Sequence, residues 1–182
     1  MEETGQRARV RRLLRVLATS IGAIFLALTA LGLILPRDLR IERSVELGAP
    51  RGEVVTAVSD LSRWRSWAFG AEAAECTFTE ARPEALRWRC GEVQGALLRT
   101  DLSEQDLWID AKVPGQIEGV RMRLSVIDAP TGARLTWQEQ ARAPRVVGAW
   151  LRPWLERARA EQIDAALSRL KGQLGAAAPR GT

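Results

Sequence analysis

The 182-residue chain contains no histidine, no tyrosine and only two cysteines. Without histidine it lacks the usual general base near neutral pH, the commonest zinc ligand and every catalytic triad built on an imidazole. Glycine-rich phosphate loops, CxxC pairs and HExxH zinc motifs are also missing from the sequence. These absences exclude the commonest kinds of catalytic and metal site, and we expect neither a cofactor nor a metal.

One stretch has no charge at all. Residues 16–35 carry no charged side chain, and about 20 apolar residues are what a helix needs to cross the hydrocarbon core of a bilayer. We therefore predict a transmembrane anchor over residues 16–36. Residues 1–15 before it are basic, with five arginines, and cytoplasmic flanks are rich in such residues. This predicts a single pass through the inner membrane, with the amino terminus in the cytoplasm and the following domain in the periplasm or outside.

A cleaved signal peptide is the alternative, because the small residues at Ala30–Gly32 offer a cleavage site. The apolar run is longer than the roughly 7 to 15 residues of a signal-peptide core, which favours a retained anchor. We expect one domain over residues 37–174, a length that can bury its own core. The composition of residues 175–182 predicts a disordered tail.

Most of this domain alternates apolar and polar residues with a period of two, which is typical of strands with one covered face. Turn residues at Arg82–Glu84 and Ala129–Gly132 separate some of these runs. Apolar residues recur at helical spacing only in residues 51–59 and in the long amphipathic segment 147–174. The predicted strands are residues 39–47, 74–81, 86–92, 94–103, 106–113, 118–128 and 133–140.

Three short motifs resemble those of a known family. Leu39–Pro50 resembles the opening strand V-x-R-S-I-x-I-x-A-P, Asp60–Trp67 is similar to D-L-x-x-W-x-x-W, and Gly132–Trp137 resembles G-x-R-V-T-W. Together they resemble the START-like, or SRPBCC, superfamily in its polyketide cyclase-like branch. The resemblance implies an α+β helix-grip fold, a curved antiparallel sheet of about seven strands wrapped on a long carboxyl-terminal helix around an apolar cavity. It also implies a wide range of ligands and, in many bacterial members, an amino-terminal anchor.

Strand parity identifies the side chains that point toward the long helix. With the resemblance, this inward set is a candidate site for a hydrophobic ligand; without it, the same residues are ordinary core. Arg43 shares the inward parity, and we expect it either to bind a carboxylate or phosphate group of the ligand or to pair with an oxygen of the protein. The candidate ligand-binding residues are Arg43, Phe78, Trp88, Leu98, Met122, Leu124, Trp137 and Leu155.

The outward parity is rich in cations. This basic face is either simply solvated or contacts anionic lipid head groups, with Trp108 inserting beside them. Nucleic acid is not an expected partner, because the domain is predicted to lie outside the cytoplasm. Trp150 and Trp154 are expected to pack onto the sheet, with a pocket mouth or the membrane as alternatives. The outward residues are Arg87, Arg89, Leu97, Arg99, Asp101, Trp108, Asp110, Lys112, Arg121, Arg123, Arg134, Thr136 and Gln138.

The two cysteines, Cys76 and Cys90, flank a proposed hairpin. A three-residue loop at Arg82–Glu84 places Cys76 opposite Cys90 and Phe78 opposite Trp88. In an oxidising compartment this geometry allows a cross-strand disulfide. The alternative is two buried free thiols, which behave as small apolar side chains.

Three kinds of function remain open. We favour a noncatalytic, membrane-anchored binding module for a lipid or another hydrophobic small molecule. A cyclase-like enzyme is the alternative, using Arg43 with Glu139 or Glu80 as acid and base, because both glutamates share the inward parity. Such an enzyme needs one of these carboxylates deep in the pocket, whereas carboxylates at a wet rim favour the binding module. An envelope protein that acts through surface contacts alone would have a filled core with no cavity.

Overall fold

The computed structural model describes residues 2–103, 106–113, 117–144 and 147–177. Along the chain, a long helix comes first and another comes last, with seven strands and two short helices between them. Short helical turns at Leu61–Arg63 and Gly70–Glu75 precede and follow the third helix. The helices are α1 (Glu2–Ile34), α2 (Arg51–Ser59), α3 (Trp64–Trp67) and α4 (Val147–Ala177). The strands are β1 (Asp38–Leu47), β2 (Cys76–Arg82), β3 (Ala85–Cys90), β4 (Val93–Leu102), β5 (Asp106–Val113), β6 (Ile117–Ala129) and β7 (Gly132–Arg142).

The strands follow the order β1-β7-β6-β5-β4-β3-β2, and all neighbours are antiparallel. β1 and β2 are therefore the edge strands, and α4 packs most closely against β1. The predicted helix-grip fold is confirmed. Helix α4 continues to Ala177, so residues 175–177 of the predicted tail are helical; residues 178–182 lie outside the described residues.

The start of α4 lies beside the end of α1. The Ala143 N–H, shortly before α4, donates to the carbonyl of Arg37, shortly after α1, at 2.9 Å, and the two helices contact each other. Farther along, Arg43 of β1 reaches Asp164 of α4 at 3.2 Å. β1 and α4 therefore start at the same end of the domain and run in the same direction.

The core lies between the inner face of the sheet and helices α2, α3 and α4. β7 shows the strand pattern clearly, because Leu135, Trp137 and Glu139 are buried while the residues between them are more exposed. The buried residues of α4 recur every three or four positions, which is the period of a helix with one covered face. They are Ala160, Ile163, Ala166, Leu167 and Leu170.

Bulges in β2 and β4 reverse the side-chain parity within the strand. In β2 the register shifts between Phe78 and Glu80, so that Glu80 aligns with Arg87 on the outer face. The inward placement predicted for Glu80 is therefore wrong.

The second bulge lies in β4, where the register shifts between Arg99 and Asp101. Before this bulge Leu97 is buried, at 6% exposure, and Leu98 is 52% exposed. The prediction of Leu98 as an inner-face residue is therefore wrong, and Leu97 and Arg99 belong to the inner side rather than to the basic outer face.

Cys76 lies opposite Cys90 and Phe78 opposite Trp88 in the β2–β3 hairpin, as predicted. The three-residue loop predicted at Arg82–Glu84 is wrong, because Arg82 pairs with Ala85, and the bulge restores the predicted pairing beyond it. The two cysteine sulfurs are bonded to each other, with their Cα atoms 4.3 Å apart. The disulfide links the edge strand β2 to the rest of the sheet.

Among the described residues, one helix is long and apolar enough to cross a membrane, the segment Leu17–Ile34 of α1 with a mean hydropathy of 2.2. Only 6% of this segment is buried against the rest of the chain. Such an uncovered apolar helix near the amino terminus fits a membrane anchor or a signal sequence.

Candidate ligand site between the sheet and the long helix

The predicted inner-face residues Met122, Leu124 and Trp137 lie together and are 3% exposed or less. The indoles of Trp64 and Trp67 from α3 pack against Trp137, with ring centroids 5.4 and 6.2 Å away. Trp64 and Trp67 are themselves 4.7 Å apart. The inner side of the sheet therefore carries a tryptophan cluster, which consists of Trp64, Trp67 and Trp137.

A second aromatic group covers the β2–β3 half of the inner face. Phe69 packs edge-on against both Phe78 and Trp88, at 5.3 and 4.9 Å between ring centroids. All three side chains are partly buried and pack against the main core. The Arg65 guanidinium lies 5.0 Å from the centre of the Phe78 ring, a distance that suits a cation–π contact. The structure thus brings Phe78 and Trp88 together as predicted.

Two donors in the tryptophan cluster have no acceptor. The indole N–H groups of Trp67 and Trp137 are buried and make no hydrogen bond to any described residue. Trp64 differs, because its indole N–H donates to the Val58 carbonyl at 2.8 Å. An unpaired buried donor costs about 1–3 kcal/mol. The tryptophan cluster therefore contains two polar positions that an acceptor oxygen can satisfy.

Glu139 is buried, at 2% exposure, and does not lie at a wet rim. Arg159 of α4 binds both of its carboxylate oxygens, with Nε to Oε1 at 2.8 Å and Nη2 to Oε2 at 3.0 Å. The same guanidinium donates to Gln162 at 3.0 Å. Because both oxygens are occupied by one arginine, Glu139 links β7 to α4 and is poorly placed to exchange a proton with a ligand.

Arg43 lies on the inner side of the edge strand β1, level with Trp137 on β7. Its Nε donates to Asp164 at 3.2 Å and its Nη1 to the Glu42 carbonyl at 2.9 Å. The side chains of Arg43 and Asp164 are 41% and 55% exposed. Arg43 is thus paired with protein oxygens, one of the two outcomes expected for it, and it lies at the margin of the site.

The residues of the predicted acid–base pairs are not assembled. Arg43 and Glu80 lie on β1 and β2, the opposite edges of the sheet, and neighbouring strands are about 4.8 Å apart. Glu80 instead binds Arg87 at 2.9 Å, and Glu139 is occupied by Arg159. The described geometry therefore gives no support to the cyclase-like mechanism predicted for these residues.

Leu155 of α4 is half-buried and packs against the core, whereas Leu98 points away from it. The sequence did not predict that Arg159 pairs with Glu139 or that Arg99 lies on the inner side of the sheet. The Arg99 Nη1 donates to the Ser59 carbonyl at 2.9 Å. Trp64 and Trp67 carried a signal, as part of a family motif, but were not assigned to the site.

A shallow cleft of about 500 Å³ lies between α3 and the carboxyl-terminal half of α4. Trp67 forms part of both this cleft and the tryptophan cluster. Arg169 fixes one side, because it donates to the carbonyls of Trp67 and Ala68 at 2.7 and 3.1 Å. The other lining residues are Ala57, Ser62, Arg63, Arg65, Ser66, Gly70, Ala73, Leu170, Gln173 and Leu174.

Much of the outer sheet face is neutralised by ion pairs. Arg121 binds Asp110 at 3.0 Å, and Arg123 binds Asp106 at 2.7 Å. The Arg123 guanidinium also lies 5.4 Å from the centre of the Trp108 ring. Its hydrogen bond lowers the pKa of the Asp106 carboxyl, and this outweighs the opposite effect of partial burial. The face is therefore less basic than its arginine content indicates.

The antiparallel sheet and the long helix along it define a helix-grip fold. The chain belongs to the family described as polyketide cyclase / dehydrase and lipid transport, whose family model matches residues 38–175. No curated protein sequence matches the chain significantly.

Several solved structures share this fold. A START superfamily protein from Mycobacterium smegmatis is 16% identical, with a TM-score of 0.56 over 75% of this chain and 97% of that one. The di-domain ARO/CYC StfQ of the steffimycin biosynthetic pathway is 12% identical, with a TM-score of 0.58 over 76% of this chain and 51% of that one. A protein from Chromobacterium violaceum is 13% identical, with a TM-score of 0.56 over 76% and 98%. At these identities the likeness shows the fold alone.

Proposed function

We propose that the protein is a membrane-anchored, noncatalytic binding protein for a lipid or another hydrophobic small molecule. The ligand lies between α4 and the inner sheet face, against the tryptophan cluster. The observation that carries the proposal is the pair of indole N–H groups of Trp67 and Trp137 that have no acceptor among the described residues and lie within the hydrophobic core. A family whose description includes lipid transport supports it.

The donors also define the chemistry of the ligand. An apolar molecule with one carbonyl, hydroxyl or carboxylate oxygen would contact aromatic side chains and accept a hydrogen bond from an indole. Phe78, Trp88, Met122, Leu124 and Leu155 supply the apolar contacts in this proposal. Arg43 at the margin is the candidate partner for a charged head group, once it exchanges Asp164 for the ligand.

The membrane is the source of such molecules in our proposal. α1 is uncovered over Leu17–Ile34, and the basic residues 1–15 favour an amino terminus in the cytoplasm. The binding domain then lies on the periplasmic or outer side of the inner membrane. The disulfide between Cys76 and Cys90 agrees with an oxidising compartment.

Three matched tryptophan variants test the proposal. Each of Trp64→Phe, Trp67→Phe and Trp137→Phe removes one N–H and the same ring volume, but only Trp64 has an acceptor within the described protein. Native mass spectrometry of the full chain, purified in detergent from its host membrane, measures the mass of retained ligand. We expect a retained apolar molecule in the parent and less of it in Trp67→Phe or Trp137→Phe. Thermal unfolding should show the larger loss of stability for Trp64→Phe, by about 0.5–1.5 kcal/mol.

A parent chain without retained ligand, and without any shift in unfolding temperature when a fluorescent fatty acid is added, would refute the binding function. Met122→Trp gives an independent check, since Met122 is 1% exposed. In a site with space for a ligand the larger ring lowers binding and leaves the fold intact. In a filled core it overpacks and costs about 1–3 kcal/mol of stability.

A further inference from the structure

Three large apolar side chains are exposed on the first turns of α4. Trp150, Leu151 and Trp154 are 44%, 46% and 66% exposed. Residues three and four positions apart share one side of a helix, so these three form a single patch, which we call the α4 patch. The expectation that Trp150 and Trp154 pack onto the sheet is therefore wrong.

The α4 patch lies close to the end of α1. The Ala143 N–H donates to the Arg37 carbonyl at 2.9 Å, and Asp38 is level with Arg142 across β1 and β7. A helix rises about 1.5 Å per residue, so Trp150 and Trp154 lie only about 5 and 10 Å along α4 from its first residue. α1 and α4 are also in contact.

The apolar surface of α1 extends to its last residues, close to the start of α4. Leu33 and Ile34, the last residues of α1, are 62% and 80% exposed, and α1 contacts α4. We propose that Trp150, Leu151 and Trp154 insert into the interface of the lipid bilayer that α1 crosses, and so hold the amino-terminal end of α4 against the membrane. This inference rests on the membrane anchoring included in the proposed function.

The side-chain chemistry selects a lipid interface as the occupant. Tryptophan is enriched where the acyl chains meet the head groups, because its ring is apolar and its N–H is polar. Arg152 lies between the two tryptophans in sequence, and a long arginine side chain can extend from an apolar surface toward head groups. A partly exposed Trp108 on the outer sheet face is less suited, since Arg123 lies over its ring.

Fluorescence quenching by brominated lipid tests this contact. The full chain is placed in phosphatidylcholine nanodiscs whose acyl chains are brominated near the head group. Its seven tryptophans all lie outside α1, so quenching reports tryptophans of the domain that touch the bilayer. The double variant Trp150→Phe with Trp154→Phe should lose about half or more of the quenched signal, and the control Trp108→Phe should keep it. Near-ultraviolet circular dichroism confirms that each variant is folded.

Two results overturn the inference. Either the parent is not quenched, or quenching is lost in Trp108→Phe and kept in the double variant, which assigns the contact to the outer sheet face. Extraction of host membranes with alkaline carbonate tests the membrane anchor separately from the contact of the α4 patch with the bilayer. A chain that resists extraction but is not quenched keeps its anchor and loses the α4 patch contact. A chain that is extracted refutes both, and its retained ligand in mass spectrometry still decides the binding function.

Discussion

Glu139 and Arg159 form the ion pair that joins the sheet to the long helix. The glutamate is 2% exposed, and both of its oxygens bind one guanidinium. A buried ion pair contributes little net stability compared with apolar packing, but removing one partner leaves an uncompensated charge. We infer that the pair fixes the position of α4 over β7 and thereby the distance between the two elements that form the candidate ligand site.

Arg159→Ala tests this role. The substitution should destabilise the domain by about 3 kcal/mol, because it leaves a buried carboxylate without its partner. Urea unfolding followed by circular dichroism measures the loss. Arg157→Ala is the matched control two residues away, since Arg157 binds Glu161 with side chains that are 82% and 68% exposed. An equal loss in both variants would contradict the special role of Arg159.

Asp106 gives the domain a dependence on acid pH. Its pKa is lowered from the ordinary value of 3.8, chiefly by the hydrogen bond from Arg123. A lowered carboxyl pKa contributes stability that is present above the ordinary pKa and is lost as the pH falls through the native one. Asp106→Asn should therefore be less stable than the parent near pH 7, with a difference that shrinks as the pH falls below the ordinary carboxyl pKa of 3.8.

Unfolding temperatures measured between pH 7 and pH 2 follow this difference. Asp128→Asn is the control, because Asp128 is an exposed carboxylate on the β6–β7 hairpin. A constant difference between Asp106→Asn and the parent over the whole pH range would contradict the linkage.

Gly132 begins β7 at a place where β1 turns toward α2. Its φ is +141°, and an added Cβ would lie 2.8 Å from the Ala49 carbonyl oxygen and closer still to that of Leu47. Gly132→Ala should lower the free energy of unfolding by about 1–3 kcal/mol, since both backbone strain and a backbone clash oppose it. Gly172→Ala in α4 has open space at its Cβ and should gain up to about 1 kcal/mol. Paired denaturation curves measure both, and a stable Gly132→Ala would contradict the close approach.

Secondary structure was predictable wherever the evidence is local. The alternation of residues 106–113 and the helical spacing of residues 51–59 predicted β5 and α2 with the bounds that the structure has. The bulges between Phe78 and Glu80 and between Arg99 and Asp101 were not predictable, because an extra residue in a strand has no pattern of its own. Parity counted through a bulge is reversed, and this is why Leu98 and Glu80 were misplaced.

The inner-face residues of the candidate site on β6 and β7 were predictable from strand parity, whereas their contacts with α4 were not. Parity placed Met122, Leu124 and Trp137 on the inner face, since β6 and β7 are regular at those positions. The partner of Glu139 was not predictable, because it depends on the rotation of α4 about its axis, which only the packed structure defines. For the same reason, the exposure of Trp150 could not be derived from its apolar character.

The disulfide between Cys76 and Cys90 depends on the redox state of the compartment in which the domain lies. Cys76 and Cys90 close a loop with a sequence separation of 14, and such a loop contributes up to about 3 kcal/mol by restricting the unfolded chain. We expect peptide mapping of the full chain from host membranes, alkylated without reduction, to find both cysteines unlabelled and joined. Labelling after reduction is the control. Free thiols in the untreated chain would contradict the disulfide and the oxidising location together.

Only residues 35–37 separate the end of α1 at Ile34 from the start of β1 at Asp38. Leu35 still donates its N–H to the Leu31 carbonyl at 3.1 Å, and an extended residue spans at most about 3.6 Å. Once α1 is in a bilayer, the domain can move away from that bilayer by only about 10 Å. Such a protein cannot carry a molecule across a wide aqueous gap. Under the proposed function, the binding domain would therefore exchange its ligand only with the membrane that α1 crosses or with molecules that come to the surface of that membrane.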